Sequence, residues 1–224
     1  MKKYFEAYDD RYQAAHEKGV SWLSEVPTPI VLETIKKYRF DPCAPMLEIG
    51  CGEGRDAKAV LEQGYHLLAT DISREAIAYC RARLPAFAGR FETLDCVRDS
   101  HPDRYRFIYS VAVIHMLVLD EDRNAFYRFI RDHLADGGLA LICTMGDGER
   151  EMQSDIENAF QPQEREHESG PMLVAATSCR TVSFETFENE LRANRLKLLE
   201  KGITSSLPDF DSLMYAVVEK DCRG

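Results

Sequence analysis

The stretch Leu47-Glu48-Ile49-Gly50-Cys51-Gly52-Glu53-Gly54-Arg55-Asp56 constrains the fold more than any other part of the chain. A short apolar run breaks into three glycines spaced Gly-x-Gly-x-Gly and then into a helical pattern, as where a buried strand turns into a helix. Glycines there let the turn tighten and let a ligand approach the backbone. The spacing is not the Gly-x-Gly-x-x-Gly of dinucleotide binders. Glu48 also places a carboxylate where it would repel a pyrophosphate, whereas it suits the ammonium of an amino-acid-bearing ligand, directly or through water. A purely structural turn is the competing reading of this segment taken alone.

The rest of the chain fits one parallel sheet built from βα units. Strands are expected at 46–49, 66–70, 90–94, 107–114 and 139–144. The fourth run is nearly all apolar, as for a strand buried on both faces. Helices are expected at 56–63, with Gly64 as C-cap, then from the Ser73 cap to about 84, and over 122–134, ended by Asp136-Gly137-Gly138. Ser183 caps a last helix to about 194, and 196–202 with 213–219 close the sheet as an antiparallel pair. With 224 residues and 45% hydrophobic composition, the chain reads as a single domain. Residues 1–40 form a helical lid, 41–146 the core, 147–182 an insertion over the strand ends after strand 5, and 183–224 the closing helix and strands.

Two carboxylates follow the glycine turn at sheet spacing. Asp71 ends the second strand, where it can accept hydrogen bonds from both hydroxyls of a ribose. Ile72 beside it can pack on a flat base. Asp95, just past the third strand, can accept from an exocyclic amine, with the Cys96 backbone amide near a ring nitrogen. The competing readings are a capping aspartate at Asp71, a role that Ser73 already fills, and an ordinary loop aspartate at Asp95.

Glu48 to Gly54, Asp71-Ile72-Ser73, Leu94-Asp95-Cys96, Tyr109 to His115 and Asp136-Gly137-Gly138 together resemble the class I S-adenosylmethionine-dependent methyltransferases. The resemblance covers roughly residues 40–145 by motif and 183–220 by pattern. It implies a doubly wound, Rossmann-like α/β fold, with a seven-stranded, mostly parallel sheet whose last strand is antiparallel. It implies S-adenosylmethionine as cofactor. Glu48, Gly50, Cys51, Gly52 and Gly54 would bind its methionine part, Asp71 and Ile72 its ribose and its adenine face, and Asp95 and Cys96 its adenine. Ser110 and Val111 match the segment after strand 4 that lines the methionine end. The Asp-Pro-Pro-Tyr-like motif of nucleic-acid amino methylators is absent.

Methyl transfer from a sulfonium needs alignment and a dry site more than a dedicated base. His115, at the end of the fourth strand, is the candidate base by position and ordinary pKa, and local packing is its bland alternative. Tyr4, Tyr8 and Tyr12 recur at helical spacing, and Tyr12, Trp22 and His115 are expected on the substrate side of the lid. Arg11 reads as a partner of the cofactor carboxylate or as a solvated arginine. The acid-rich run 163–168 reads as a solvated helix face rather than a metal site. The seven cysteines are scattered, without zinc or Cys-x-x-Cys spacing, and read as reduced thiols. No signal core or membrane-length apolar run is present, so a cytoplasmic protein is expected. The formal net charge of −10 disfavours nucleic acid as a partner. A small-molecule methyl acceptor is the expected partner. A peptide or protein acceptor, or a non-catalytic S-adenosylmethionine-binding regulator, are the alternatives. Oligomeric state is not readable.

Overall fold

The computed structural model describes residues 2–204 and 212–221. The expected chain between the last two strands, 205–211, and Cys222 lie outside them.

Seven strands form the central sheet: β1 (Met46–Ile49), β2 (Leu67–Asp71), β3 (Phe91–Thr93), β4 (Tyr105–Val111), β5 (Leu134–Met145), and the last pair described below. The insertion carries β6 (Met152–Gln153), β7 (Pro162–Arg165), β8 (Met172–Ala175) and β9 (Arg180–Thr181), and the chain closes with β10 (Leu196–Thr204) and β11 (Leu213–Lys220). The order across the sheet is β10-β11-β5-β4-β1-β2-β3. β11 runs antiparallel to both its neighbours, and the other pairings are parallel. This is the expected seven-stranded doubly wound sheet. The strand order reverses beside β1, between β2 and β4, where ligands bind at the carboxyl ends of the strands in open α/β sheets.

Among the described residues there are six α-helices: α1 (Ala7–Glu17), α2 (Pro29–Lys37), α3 (Arg55–Glu62), α4 (Arg74–Arg83), α5 (Asp120–His133) and α6 (Phe184–Ala193). Side chains alternate between the two faces of a strand, and the core divides accordingly. Met46, Phe107 and Tyr109 pack with Ile35 of α2, Val60 of α3 and Ile77 of α4. Leu47, Ile49 and Ile108 pack with Phe126 and Ile130 of α5 and Leu191 of α6. The caps are those the sequence suggests: Ser73 Oγ accepts from Ala76 N at 3.0 Å and Ser183 Oγ from Thr186 N at 3.2 Å.

Several expectations need correction. Residues 29–37 are not lid: Ile30, Val31 and Ile35 of α2 are buried against the sheet. The fourth strand ends at Val111, because Ala112 adopts φ +57° and turns the chain into a short 3₁₀ segment, Ile114–Met116. Asp136-Gly137-Gly138 does not separate helix from strand. α5 stops at His133, and the three residues form a bulge inside β5, where Tyr105 faces Leu134 but Phe107 faces Leu139. Glycine is needed there, since a Cβ on Gly138 would lie 2.9 Å from the carbonyls of Ala135 and Tyr105. The insertion is two small antiparallel ribbons, β6 with β9 and β7 with β8. The run 163–168 is accordingly strand and loop rather than helix; it is mostly exposed, as expected. The ribbon strand β8 packs Met172 and Val174 on Ala15 of α1, which joins the insertion to the N-terminal helix. Among the described residues, no helix is long and apolar enough to cross a membrane.

Candidate active site

The carboxyl ends of β1, β2, β3 and β4 surround a cavity of about 110 Å³. It is lined by Glu48, Gly50, Cys51, Gly52, Asp71, Ile72, Asp95, Cys96 and Val111, all singled out from the sequence, and by Tyr12 above them. Four named residues lie elsewhere. Gly54 is the N-cap of α3, at φ +81°, where a Cβ would meet Cys80 Sγ at 2.9 Å; it serves helix packing. Ser110 is buried within β4, behind the cavity wall. Trp22 and His115 line a second, larger cleft.

The turn is held from beneath by Asp71. Its Oδ2 accepts from Gly52 N and its Oδ1 from Ser73 N, both at 2.8 Å. The carboxylate thus braces the glycine turn and the start of α4 while it faces the cavity. Gly50 must be glycine: at φ +73°, a Cβ would lie 2.2 Å from Val113 Cγ2. Asp95 Oδ1 accepts from Val97 N at 2.9 Å. Its buried Oδ2 makes no hydrogen bond among the described residues, although Arg98 Nε lies 3.3 Å away. A buried acceptor with spare capacity, on a residue that lines a cavity, fits a donor on a ligand. Glu48 is buried, accepts from Tyr109 Oη at 3.0 Å, and has its pKa pushed well up by burial and then by Asp56. A ligand cation beside it would favour its ionised form.

The N-terminal segment closes over this cavity. Glu53, inside the glycine turn, is the clasp: Oε1 accepts from Trp22 N at 2.8 Å and faces His16 Nε2 at 2.8 Å, and Oε2 accepts from Leu23 N at 2.8 Å. The His16 ring stacks on Tyr79 of α4 at 4.2 Å. Tyr12 covers Gly52 so closely that a Cβ there would lie 2.7 Å from its hydroxyl. At about 110 Å³ the cavity is smaller than the roughly 300–1,000 Å³ usual for ligand pockets. Tyr4, the first of the tyrosine stripe, is structural instead. It donates to Asp122 at 2.8 Å and accepts from Val118 N and Leu119 N. Phe5, Tyr8, Leu23, Ile49, Arg55, Asp56, Leu94, Val97, Ala112, Val113, Met116 and Leu117 complete the lining. Of these, Tyr8 belongs to the tyrosine stripe, Ile49, Arg55 and Asp56 to the glycine-turn stretch, Leu94 to the Leu94-Asp95-Cys96 motif, and Ala112 and Val113 to the segment after strand 4; the others carry no sequence signal.

Burial raises the Asp71 pKa to about 6, against the hydrogen bonds from Ser73 and Gly52, which lower it. Above that value both oxygens are acceptors; below it one carries a proton. Affinity for a ligand that donates two hydroxyls to Asp71 is therefore expected to fall as pH drops from 7 to 5, by up to about tenfold per unit below pH 6. Titration calorimetry with S-adenosylhomocysteine across that range measures it, and a flat profile would dismiss the ionised carboxylate as the ligand. Stability moves the other way. A carboxyl whose folded pKa exceeds its unfolded value contributes stability below about pH 4, and that contribution is lost as pH rises through 6.

Residues 47–140 match the sequence model of a methyltransferase domain. No curated protein matches the chain. Among solved structures, a 1,6-didemethyltoxoflavin-N1-methyltransferase of Burkholderia thailandensis is similar over 97% of this chain and 88% of its own, at 14% identity and a TM-score of 0.72. The CcbJ methyltransferase of Streptomyces caelestis is similar over 98% and 99%, at 14% identity and a TM-score of 0.71. An S-adenosylmethionine-dependent methyltransferase of Clostridium acetobutylicum ATCC 824 covers 93% and 96%, at 13% identity and a TM-score of 0.67. Those likenesses are of fold, and the domain match falls on the segment that builds the cavity. Residues 47–140 thus match a methyltransferase domain, set in the fold that these solved methyltransferases share.

Proposed function

We propose that the protein binds S-adenosylmethionine in the smaller cavity and methylates a small molecule that enters through the larger cleft. The observation that carries this reading is Asp71, braced by two backbone amides at the reversal of strand order and facing a cavity whose next carboxylate, Asp95, keeps an acceptor to spare. Asp71 holds the ribose hydroxyls, with Ile72 against the adenine. Asp95 and the Cys96 amide take the adenine edge. Glu48, Gly50, Cys51, Gly52 and Val111 surround the methionine part, with Gly54 and Ser110 supporting from behind. When bound, the cofactor supplies an electrophilic methyl group on a sulfonium.

The chain's own residues then align and dehydrate the reaction. Tyr8, Leu23 and Met116 line both the cavity and the cleft. They stand at the passage where an acceptor meets the methyl group. The lid, closed by Glu53 on Trp22 and Leu23, excludes water. A cleft roofed by the lid and the insertion suits a small acceptor better than the long groove a protein substrate needs.

His115 lines the cleft, is 4% exposed, and has its pKa pushed down to about 3 by burial and then by Arg123. It therefore stays neutral at physiological pH and is a weak proton acceptor. Replacing it with alanine is expected to lower turnover by about 10²-fold, the low end of general base catalysis, with S-adenosylhomocysteine affinity nearly unchanged. The wild-type pH–rate profile should show no histidine limb near pH 6.5. Unchanged turnover of the His115→Ala variant on a genuine acceptor would remove the base role.

A further inference from the structure

The larger cleft, about 1280 Å³, holds a feature that the cofactor does not explain. Arg11, in α1, is 5% exposed. It neither meets solvent nor faces the cofactor cavity; Nε and Nη2 donate to Ala175 O at 3.1 and 2.6 Å, and Nη2 to Ala176 O at 2.8 Å. Its guanidinium lies 4.8 Å from the Tyr8 ring and 4.9 Å from the Trp22 ring, and Trp22 stacks on His167 at 5.6 Å. All Arg11's hydrogen-bond acceptors are neutral. Arg165, on β7, lines the same cleft, and after burial its charge is among the influences that lower the Arg11 pKa. Among the described residues, neither guanidinium forms an ion pair. Glu166 and Glu168 line the cleft without reaching ion-pair distance of either.

A buried guanidinium that shares a cleft with a second cation, with no carboxylate at ion-pair distance among the described residues, is unfavourable until an anion joins it. Arg11 spends Nε and Nη2 on the two carbonyls, so what it offers a carboxylate is Nη1 and its charge, while the exposed Arg165 offers its planar fork. The aromatic surface of Trp22 suits a flat group, and Met116, Met145 and Met152, which also line the cleft, adapt to irregular ligand shapes. We propose that the methyl acceptor is an aromatic carboxylate, held by its carboxylate between Arg11 and Arg165 with its ring against Trp22. This rests on the reading of the cleft as the acceptor site. The cofactor also has a carboxylate, but both arginines line the cleft and not the smaller cavity.

Trp22 is the only tryptophan of the chain, so its fluorescence reports directly on this wall. The test titrates 4-methylbenzoate and the neutral 4-methylbenzamide into wild type and Arg165→Gln, with and without saturating S-adenosylhomocysteine. Arg165 is exposed, so the variant keeps its fold. The expected result is tighter binding of the carboxylate than of the amide in wild type, by about tenfold for one charge-assisted contact. Arg165→Gln should bring the two to near parity and leave S-adenosylhomocysteine affinity unchanged. No binding of the carboxylate, no preference for it, or a preference that survives in Arg165→Gln would overturn the proposal. So would a variant that loses S-adenosylhomocysteine affinity and keeps its carboxylate preference, which would assign the arginines to the cofactor. Failure of wild type to bind S-adenosylhomocysteine would instead count against the cofactor reading, and the titration without it would still report on the cleft.

Discussion

Replacing Asp71 with alanine is expected to weaken S-adenosylhomocysteine binding by roughly 10²–10⁴-fold, on two hydrogen bonds to a charged acceptor at about 1.5–3 kcal/mol each. Two losses act in the same direction. The ribose hydroxyls lose their acceptor, and Gly52 N and Ser73 N lose the carboxylate that holds the turn and the start of α4. The Asp71→Asn variant separates them: its side chain keeps one carbonyl acceptor and no charge, so it should fall between wild type and alanine. Calorimetry measures the affinities, with circular dichroism to confirm that each variant is folded. An alanine variant that binds within about threefold of wild type, a difference of under 1 kcal/mol, would mean that Asp71 serves only the turn.

The second large effect concerns stability. Arg123 of α5 is 1% exposed and makes four hydrogen bonds. Nη1 donates to Ile114 O at 2.9 Å and Leu117 O at 3.1 Å, and Nε and Nη2 donate to the two Glu190 oxygens at 2.7 Å. Tyr127 Oη donates to the same carboxylate at 2.7 Å. Arg123→Met leaves Glu190 and two carbonyls short of partners and should cost about 3–5 kcal/mol, the usual penalty for breaking a buried pair from one side. The melting temperature should fall by on the order of 10 °C. Removing the acid as well, in Arg123→Met with Glu190→Leu, should restore part of that loss, because the orphaned charge goes with it. Ile114 and Leu117 flank His115 and Met116, so turnover should drop in the double variant even where stability returns. Urea unfolding of the three proteins checks this, and a single-variant loss below about 1 kcal/mol would mean that the pair is not a linchpin.

The parts legible in the sequence are those fixed by local chain geometry. A strand that runs into Gly50-Cys51-Gly52 must turn there, and Asp71 and Asp95 follow at the ends of the next two strands, so the cavity lining was readable from spacing. Gly54 stands outside the cavity lining because its left-handed conformation serves the α3 cap and Cys80, a contact no spacing reveals. Ser110 sits one residue too early, since β4 ends at Val111 and Ala112 turns away with φ +57° in a residue type that gives no warning. The bulge at Asp136-Gly137-Gly138 looked like a helix stop because the same residues serve both. Glu53, Arg11 and Arg123 were unreadable for a different reason. Their partners, Trp22, Ala175 and Glu190, lie tens to more than a hundred residues away, and only the folded chain brings them together.

Calorimetric titration of the wild-type protein with S-adenosylhomocysteine tests the central claim most directly. The account predicts one site per chain with a dissociation constant in the micromolar range, about −8 kcal/mol, and enhanced thermal stability in its presence. A folded sample that releases no heat and gains no stability would contradict it, and would make the glycine turn with its two carboxylates a structural device alone.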